Sequence, residues 1–237
     1  MEFPMRINKY LAHTGVASRR EADVLIEQNK VQINGIAAVT GQQVNEGDKV
    51  SVLGKTKSKN YLAYYKGRGI ITHSPAEGET DITTRLAKDY GITELAPVGR
   101  LDKDSEGLII ISNDGRITGP LLDPEAQHDK EYDVTVDKKI SGMFLRAMAA
   151  GVEIEGYRTK PAIVTANKNN DKRFSIILTE GKKHQIRRMC AALGYQIQTL
   201  KRVRVMNIEL GKLKPNQYRK IQGEELQTLL KSLNLKA

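Results

Sequence analysis

The stretch from Gly54 to Asn60, GKTKSKN, divides the chain into two unequal parts. It contains no apolar side chain, and polar, basic runs of this kind behave as linkers rather than as parts of a core. The 237 residues are enough for a small domain and a medium one. We therefore predict a small domain over residues 1–54, a linker over 55–60 and a larger domain over 61–237.

The N-terminal part has the pattern of a compact α+β unit. A first helix would place Ile7, Tyr10 and Leu11 on one apolar face. A second helix would begin with Ser18 as its N-cap and with Glu21 reaching back to complete a capping box. Asn34-Gly35 then marks a hairpin between short strands.

The larger part shows many short strands and few helices. β-branched and aromatic runs bounded by turn residues predict strands over Tyr61–Tyr65, Gly107–Ser112, Tyr132–Val136 and Phe174–Leu178. Helices are predicted over Thr80–Asp89, Ser141–Ala150 and His184–Leu193. Because the strands do not alternate regularly with helices, a doubly wound nucleotide-binding fold is disfavoured. We predict an α+β protein whose larger domain has a mixed, mainly antiparallel sheet crossed by a central cleft.

Positive charge is concentrated in one segment. Lys and Arg total 38 against 28 Asp and Glu, which gives a formal net charge of +10. Residues 182–220 contain eleven basic residues and one acid, so this segment alone accounts for that excess. A phosphate backbone is the common target of such a patch. A solvated surface that aids solubility and, more weakly, an acidic membrane surface remain as alternatives.

Several classes of function lack support in the sequence. The single cysteine, Cys190, cannot form an intramolecular disulfide, and the four histidines have no metal-ligand spacing. No apolar stretch is long enough to span a membrane, and the N-terminus has no secretory h-region. P-loop, dinucleotide-binding, zinc-protease and serine-hydrolase motifs are missing. We expect a cytoplasmic, metal-free protein.

Three clusters could carry chemistry. The first, PVGRLDKDSEG from Pro97 to Gly107, places Arg100, Asp102 and Asp104 on a glycine-bounded loop before an apolar strand. A carboxylate on such a loop could act as a nucleophile, or it could be a solvated turn residue. A pair of hydrolytic carboxylates is less favoured, since two residues so close in sequence do not ensure the required separation.

The other two clusters are EGKKHQIRRM, from Glu180 to Met189, and KEYDVTV, from Lys130 to Val136. On a helix Arg187 and Arg188 would point about 100° apart, so that one could pair with a carboxylate while the other meets phosphate. On a strand Tyr132 would face the core or a cleft. Taken singly, a surface helix and a core tyrosine explain these patterns as well.

Taken together, the clusters resemble a known family. RINKYLAHTGVASRREADVLIEQNKVQING, near the N-terminus, resembles the S4 RNA-binding domain. PVGRLDKDSEGL, KEYDVTV and EGKKHQIRRM, in this order, resemble bacterial ribosomal RNA pseudouridine synthases of the RsuA/RluB/RluE/RluF family. The later RRMCAALGYQIQTLKRVRVMNIEL is similar to the RluF branch of that family.

The resemblance implies roles for particular residues. Asp102 would be the nucleophile that releases uracil, so that the base rotates and rejoins the ribose through C5. Arg187 would pair with Asp102 and keep it ionised, and Tyr132 would stack on the flipped base. Arg100 would fill the gap that the base leaves or brace the displaced phosphate. RNA contacts are further implied for nine basic residues: Arg6, Lys9, Arg19, Arg20, Lys183, Arg188, Lys201, Arg202 and Arg204.

The resemblance also implies the substrate and the partners. The expected reaction is the isomerisation of uridine to pseudouridine in ribosomal RNA, with 23S RNA as the first choice, and it needs no cofactor. Alternatives are a synthase acting on 16S RNA or transfer RNA, and a non-catalytic RNA-binding or ribosome-assembly factor. The assembling large subunit is a further candidate partner. We expect a monomer with no membrane partner.

Overall fold

The computed structural model describes residues 2–17, 19–54 and 58–235 of the chain. The predicted cap at Ser18 and residues 55–57 of the predicted linker lie outside these residues. The strands of the described part are β1 Met5–Arg6, β2 Val31–Ile33, β3 Ile36–Ala37, β4 Gln43–Val44, β5 Val50–Val52, β6 Tyr61–Lys66, β7 Ala96–Val98, β8 Glu106–Ser112, β9 Lys130–Val136, β10 Glu153–Ile154, β11 Tyr157–Arg158, β12 Ile163–Ala166, β13 Arg173–Leu178, β14 Ile197–Val205, β15 Ile208–Glu209 and β16 Tyr218–Lys220. Its α-helices are α1 Ile7–His13, α2 Arg19–Glu27, α3 Ile82–Tyr90, α4 Thr118–Leu122, α5 Gly142–Ala150, α6 Gln185–Ala192 and α7 Gly223–Ser232, and a 3₁₀-helix covers Gly115–Ile117.

The N-terminal elements share a core of their own. Helices α1 and α2 pack together through the buried residues Ile7, Leu11, Ala22 and Ile26. A three-stranded antiparallel sheet in the order β3-β2-β5 and the pair β1-β4 complete this unit. The predicted helical face of Ile7 and Leu11 is buried as expected, because their spacing places both on one side of the helix.

Most of the remaining chain builds one large sheet. Its main path runs β12-β13-β9-β14-β8-β6-β16, with β15 beside β14 and β7 beside β8. Among the described strands of this sheet, β8 and β14 form the parallel pair, and the other neighbours are antiparallel. The predicted mixed, mainly antiparallel sheet is therefore confirmed.

The two halves of the sheet are covered differently. Alternate residues of β6 and β8 face α3 on one side and α7 on the other, so both strands are buried along almost their whole length. In the other half, β9 and β13 bury one face against α5 and α6. Their opposite face carries polar residues, including the ion pair of Arg173 with Asp133. Within the described residues, no helix is long and apolar enough to cross a membrane.

Candidate active site

A cleft of about 760 Å³ lies between the cores of the two sheet halves. Its apolar lining comes from both cores: Ile110, Leu121 and Val205 from one, and Leu178, Ile186 and Leu200 from the other. All three clusters that the sequence singled out contribute polar residues to its walls. The structure thus brings together segments that lie far apart in the chain, as the predicted central cleft requires.

Asp102 lies on the turn between β7 and β8, at the wall of this cleft. The Ser105 backbone N–H donates to the Asp102 carbonyl at 3.1 Å and closes the turn. Gly99, with φ +83°, supplies the left-handed conformation that leads the chain into it. The Asp102 side chain is 39% exposed, so its carboxylate is accessible to a ligand in the cleft.

The His184 imidazole approaches this carboxylate. Its Nε2 lies 3.5 Å from Oδ1 of Asp102. His184 directly precedes α6 and has a left-handed backbone with φ 53° and ψ 26°. No separate role was predicted for His184 from the sequence, although it lies within the EGKKHQIRRM cluster.

A buried carboxylate fixes the segment that carries His184. Glu180 accepts hydrogen bonds from the Tyr157 hydroxyl at 2.6 Å, the Lys160 backbone N–H at 3.0 Å and the Gln185 side-chain amide at 2.6 Å. The Gln185 side-chain oxygen in turn accepts from the Lys182 backbone N–H at 3.0 Å. Sequence reasoning missed this network, and its signal is a single acid at the start of an otherwise basic cluster.

Arg187 contacts the turn that carries Asp102. Its guanidinium donates to the Asp104 carbonyl at 3.2 Å and to the Ser105 hydroxyl at 3.1 Å. These partners are two and three residues beyond Asp102, and the expected direct pairing of Arg187 with Asp102 stays a prediction. Arg187 therefore links α6 to the turn, while His184 faces the carboxylate.

Tyr132 lies on β9 and is half-buried, with its ring packed against the core of the second sheet half and lining the cleft. Lys130, two residues earlier, lines the same cleft because alternate residues of a strand share a face. Burial lowers the pKa of Lys130, and the nearby Arg202 adds to the effect. Of the predicted catalytic trio, Asp102 and Tyr132 thus share the cleft.

A second lysine lies fully buried beneath the Asp102 turn. The ammonium of Lys66, at the end of β6, donates to the carbonyls of Gly67 at 3.1 Å, Ile70 at 2.7 Å and Lys103 at 3.3 Å. Burial lowers the pKa of Lys66 to about 8, and the negative charge of Asp102 partly opposes this. Sequence reasoning also missed Lys66, whose signal is a lysine that ends an apolar strand.

Six of the predicted RNA-binding residues are exposed. Four of them lie in the N-terminal unit and two at the cleft: Arg6, Lys9, Arg19, Arg20, Arg100 and Lys183. A cleft and an N-terminal surface that both carry exposed positive charge are suited to a polyanion. Their contact with RNA stays a prediction.

The other four differ from simple surface cations. Arg202 is only 6% exposed and donates to the carbonyls of Leu108 at 2.8 Å and Arg100 at 3.3 Å. It therefore supports the cleft wall from within, whereas an exposed RNA-binding cation was expected. Arg204 pairs with Glu131 at 2.9 Å, which neutralises much of its charge. Arg188 pairs with Glu155 at 2.7 Å, and the half-buried Lys201 ammonium lies 5.7 Å from the centre of the Tyr65 ring.

No group of three or more His, Cys, Asp or Glu residues capable of holding a metal ion occurs within 2–17, 19–54 and 58–235. The polar groups of the cleft include the exposed cations Arg100 and Lys183 and the accessible carboxylate of Asp102. Such a site can bind an anionic ligand and offer it a nucleophile.

Comparison with known proteins gives matches over most of the chain. The sequence model of a family described as RNA pseudouridylate synthase matches residues 60–192, and that of the S4 domain matches residues 5–50. The dual-specificity RNA pseudouridine synthase RluF of Escherichia coli (strain K12) is 40% identical over 233 residues, which are 96% of this chain and 79% of the relative.

A second relative and a solved structure agree with these matches. The ribosomal large subunit pseudouridine synthase B of Bacillus subtilis (strain 168) is 32% identical over 234 residues, covering 94% of this chain and 95% of the relative. A crystal structure of a pseudouridylate synthase superposes with a TM-score of 0.70 at 27% identity, covering 95% of this chain and 99% of the other.

Proposed function

We propose that this chain, which belongs to the RNA pseudouridylate synthase family and is an RNA pseudouridine synthase, modifies specific uridines of 23S ribosomal RNA. The proposed nucleophile is Asp102. The observation that carries the choice of nucleophile is the position of Asp102. Within the described residues that line the cleft, its carboxylate is accessible, faces a histidine and shares the space with Tyr132.

The reaction requires one bond to be exchanged for another on the same ribose. The bond from C1′ to N1 of uracil breaks, the base rotates, and a bond from C1′ to C5 forms while C5 loses a proton and N1 gains one. An aspartate nucleophile would hold the reacting fragment during the rotation, and it must be ionised to act. His184 faces this carboxylate, and the buried ammonium of Lys66 lies beneath the same turn.

Base flipping is the second part of the proposal. A uridine inside a stack cannot reach a carboxylate at the wall of a cleft, and extruding it costs a few kcal/mol. Stacking of the base on Tyr132 would offset part of that cost, since base–aromatic stacking contributes about 1–3 kcal/mol. The exposed Arg100 at the same cleft would brace the displaced phosphate or fill the gap in the stack.

The choice of 23S RNA rests on the names of the relatives. One is a ribosomal large subunit pseudouridine synthase, and the sequence of this chain is covered almost completely by that match. The Escherichia coli relative is described as dual-specificity, which favours a second RNA class as a further substrate. We propose 23S RNA as the main substrate in the cytoplasm, with transfer RNA as the second candidate.

The experiment uses total RNA labelled with 5-tritiated uridine in a strain that lacks this gene. Because C5 loses its hydrogen in the reaction, the rate of tritium release measures turnover on any RNA class. We expect Asp102→Asn to lose more than about 10³-fold in rate, as removal of a nucleophile does. Asp104→Asn, which removes a neighbouring carboxylate from the same turn, is the matched control and should stay near the wild-type rate.

The outcomes separate the hypotheses. Tritium release by the wild type and Asp104→Asn but not by Asp102→Asn supports the proposed nucleophile. Equal release by all three proteins would reject Asp102. Fractionation of the product RNA by size then assigns the modified uridine to 23S, 16S or transfer RNA.

A further inference from the structure

The Thr72 side chain makes a reciprocal contact with the residue before Asp102. Its hydroxyl donates to the Leu101 carbonyl at 2.7 Å, and the Leu101 backbone N–H donates to the Thr72 hydroxyl oxygen at 3.0 Å. A hydroxyl can do both because it carries one proton and two lone pairs. Thr72 is 3% exposed, so no bulk water replaces these bonds.

Thr72 itself is held firmly in place. Its neighbour Ile71 accepts from the Ile82 backbone N–H at 3.0 Å and donates to the Thr80 carbonyl at 3.0 Å. These bonds tie the segment to the start of α3, where Asp81 caps the helix through the Thr84 backbone N–H. The Thr72 hydroxyl is therefore held in a fixed position, from which it binds the loop that carries Leu101.

The residue after Asp102 is anchored by the same segment. The Lys103 carbonyl accepts from the Gly69 backbone N–H at 2.8 Å and from the buried Lys66 ammonium at 3.3 Å. The backbone is thus held by hydrogen bonds on both sides of Asp102, and in each bond the partner group belongs to residues 66–72. Among the described contacts of this turn, the Thr72 hydroxyl binds both the backbone N–H and the carbonyl of one residue, Leu101.

We propose that Thr72 is a positioning residue for the reaction, and that its hydroxyl sets the place and direction of the Asp102 carboxylate in the cleft. The inference rests on the proposed role of Asp102 as nucleophile. A nucleophile must lie in contact with the reacting atom, and a displacement of about 1 Å can cost roughly 10²-fold in rate. Loss of the hydroxyl frees the Leu101 peptide groups to turn towards other partners, and Asp102 moves with them.

The test compares four variants by tritium release from the total RNA described above. Thr72→Val keeps the shape of the side chain but removes the hydroxyl, and Thr72→Ser keeps the hydroxyl. Thr159→Val is the matched control, because Thr159 is also 3% exposed, its hydroxyl accepts from the Val152 backbone N–H at 2.9 Å, and it does not itself line the cleft. Asp102→Asn is the fourth variant, and circular dichroism checks that each protein is folded.

Two quantities are measured: the rate at saturating enzyme and the enzyme concentration that gives half of that rate. For Thr72→Val we expect the saturating rate to fall roughly 10²-fold while the half-saturating concentration stays within about twofold, the pattern of a lost transition-state interaction. Thr72→Ser should recover the rate to within about threefold, and Thr159→Val should stay within about twofold of the wild type.

Each result is informative. A folded Thr72→Val that reacts as fast as Thr159→Val would overturn the proposal. An inactive Asp102→Asn in the same experiment would still support Asp102 as the nucleophile. If Thr72→Val does not fold, Thr72→Ser decides: a near-wild-type rate supports the role of the hydroxyl, and a loss of about tenfold or more in the folded serine variant contradicts it. An active Asp102→Asn would reject the proposed nucleophile and this inference with it.

Discussion

Lys66 shows how one residue can connect the core to the site. Lysine is almost never fully buried unless its ammonium is paired, and here the carbonyl oxygens of Gly67, Ile70 and Lys103 accept from it. Asp102, Asp104 and Glu106 favour its charge, whereas Arg202 and burial oppose it. Because burial dominates, its pKa lies at about 8 instead of 10.5.

This shift predicts how stability depends on pH. Below about pH 8 Lys66 is protonated in both the folded and the unfolded chain, and above 10.5 it is neutral in both. Between these values the unfolded chain binds a proton that the folded chain lacks, so the contribution of Lys66 to stability rises with pH. The rise should reach up to about 3 kcal/mol by pH 10.5.

Chemical denaturation of the wild type and of Lys66→Met at pH 7, 8, 9 and 10 measures this effect. We expect the free energy of unfolding of the wild type, relative to the variant, to increase over that range. A difference that is constant with pH would show that Lys66 keeps its ordinary pKa in the folded protein.

Single residues of the site were predictable only where a motif marks them. Asp102 and Tyr132 were selected from their clusters, and the structure places both at one cleft. The approach of His184 to Asp102, and the hydroxyl contact of Thr72, depend on side chains that meet across the fold at 3.5 Å or less. Sequence spacing carries no information about such distances, so these contacts could not be predicted.

The parallel pair of β8 and β14 joins the two halves of the large sheet. It brings Lys201 opposite Glu106 and Arg202 opposite Gly107. At Gly107, with φ +111°, an added Cβ would lie 2.2 Å from the Arg202 carbonyl oxygen and 2.7 Å from its backbone nitrogen. Only glycine allows the two backbones to approach so closely.

Gly107→Ala should therefore destabilise the protein by at least about 3 kcal/mol, since it adds a backbone clash to an unfavourable φ. Gly54→Ala is the matched control, because Gly54 has φ +110° and a Cβ added there would meet no atom within 4 Å. Only the conformational cost, about 1–2 kcal/mol, should appear in this control. Thermal unfolding of both variants measures the difference, and equal losses would contradict the close approach.

Elements were predictable where their apolar pattern was regular. The predicted strands in β6, β8, β9 and β13 are all present, because their β-branched and aromatic runs alternate or are continuous. Strand β14 was not predicted, although it is nine residues long and central to the sheet. Its sequence IQTLKRVRV buries an arginine at Arg202, and a charged residue in a core position hides the alternation.

At the scale of the whole molecule, the charge of the protein is divided among several surfaces. Part of the excess in residues 182–220 is neutralised, because Arg188, Arg204 and Arg219 pair with glutamates. The N-terminal unit adds the exposed Arg19 and Arg20. The proposed RNA interface thus combines a cleft with the N-terminal unit, and the division into residues 1–54, 55–60 and 61–237 stays a prediction.

If the N-terminal unit contacts RNA, Arg19→Ala with Arg20→Ala should weaken binding and reduce the slope of log K against log salt by about 1–2 units. Titration of 23S RNA with the protein at several salt concentrations measures the slope. Lys138→Ala with Lys139→Ala removes the same charge from exposed positions outside the predicted interface and should change the slope less. Equal slopes for both double variants would remove the N-terminal unit from the interface.

The central claim, that Asp102 is the nucleophile of an RNA pseudouridine synthase acting on 23S RNA, is tested most directly by carbodiimide-based mapping of pseudouridine in cellular RNA. The gene is deleted, and the strain is complemented with the wild type or with Asp102→Asn at equal expression. We predict that deletion removes pseudouridine from at least one 23S position and that only the wild type restores it. An unchanged map after deletion, or restoration by Asp102→Asn, would contradict this claim.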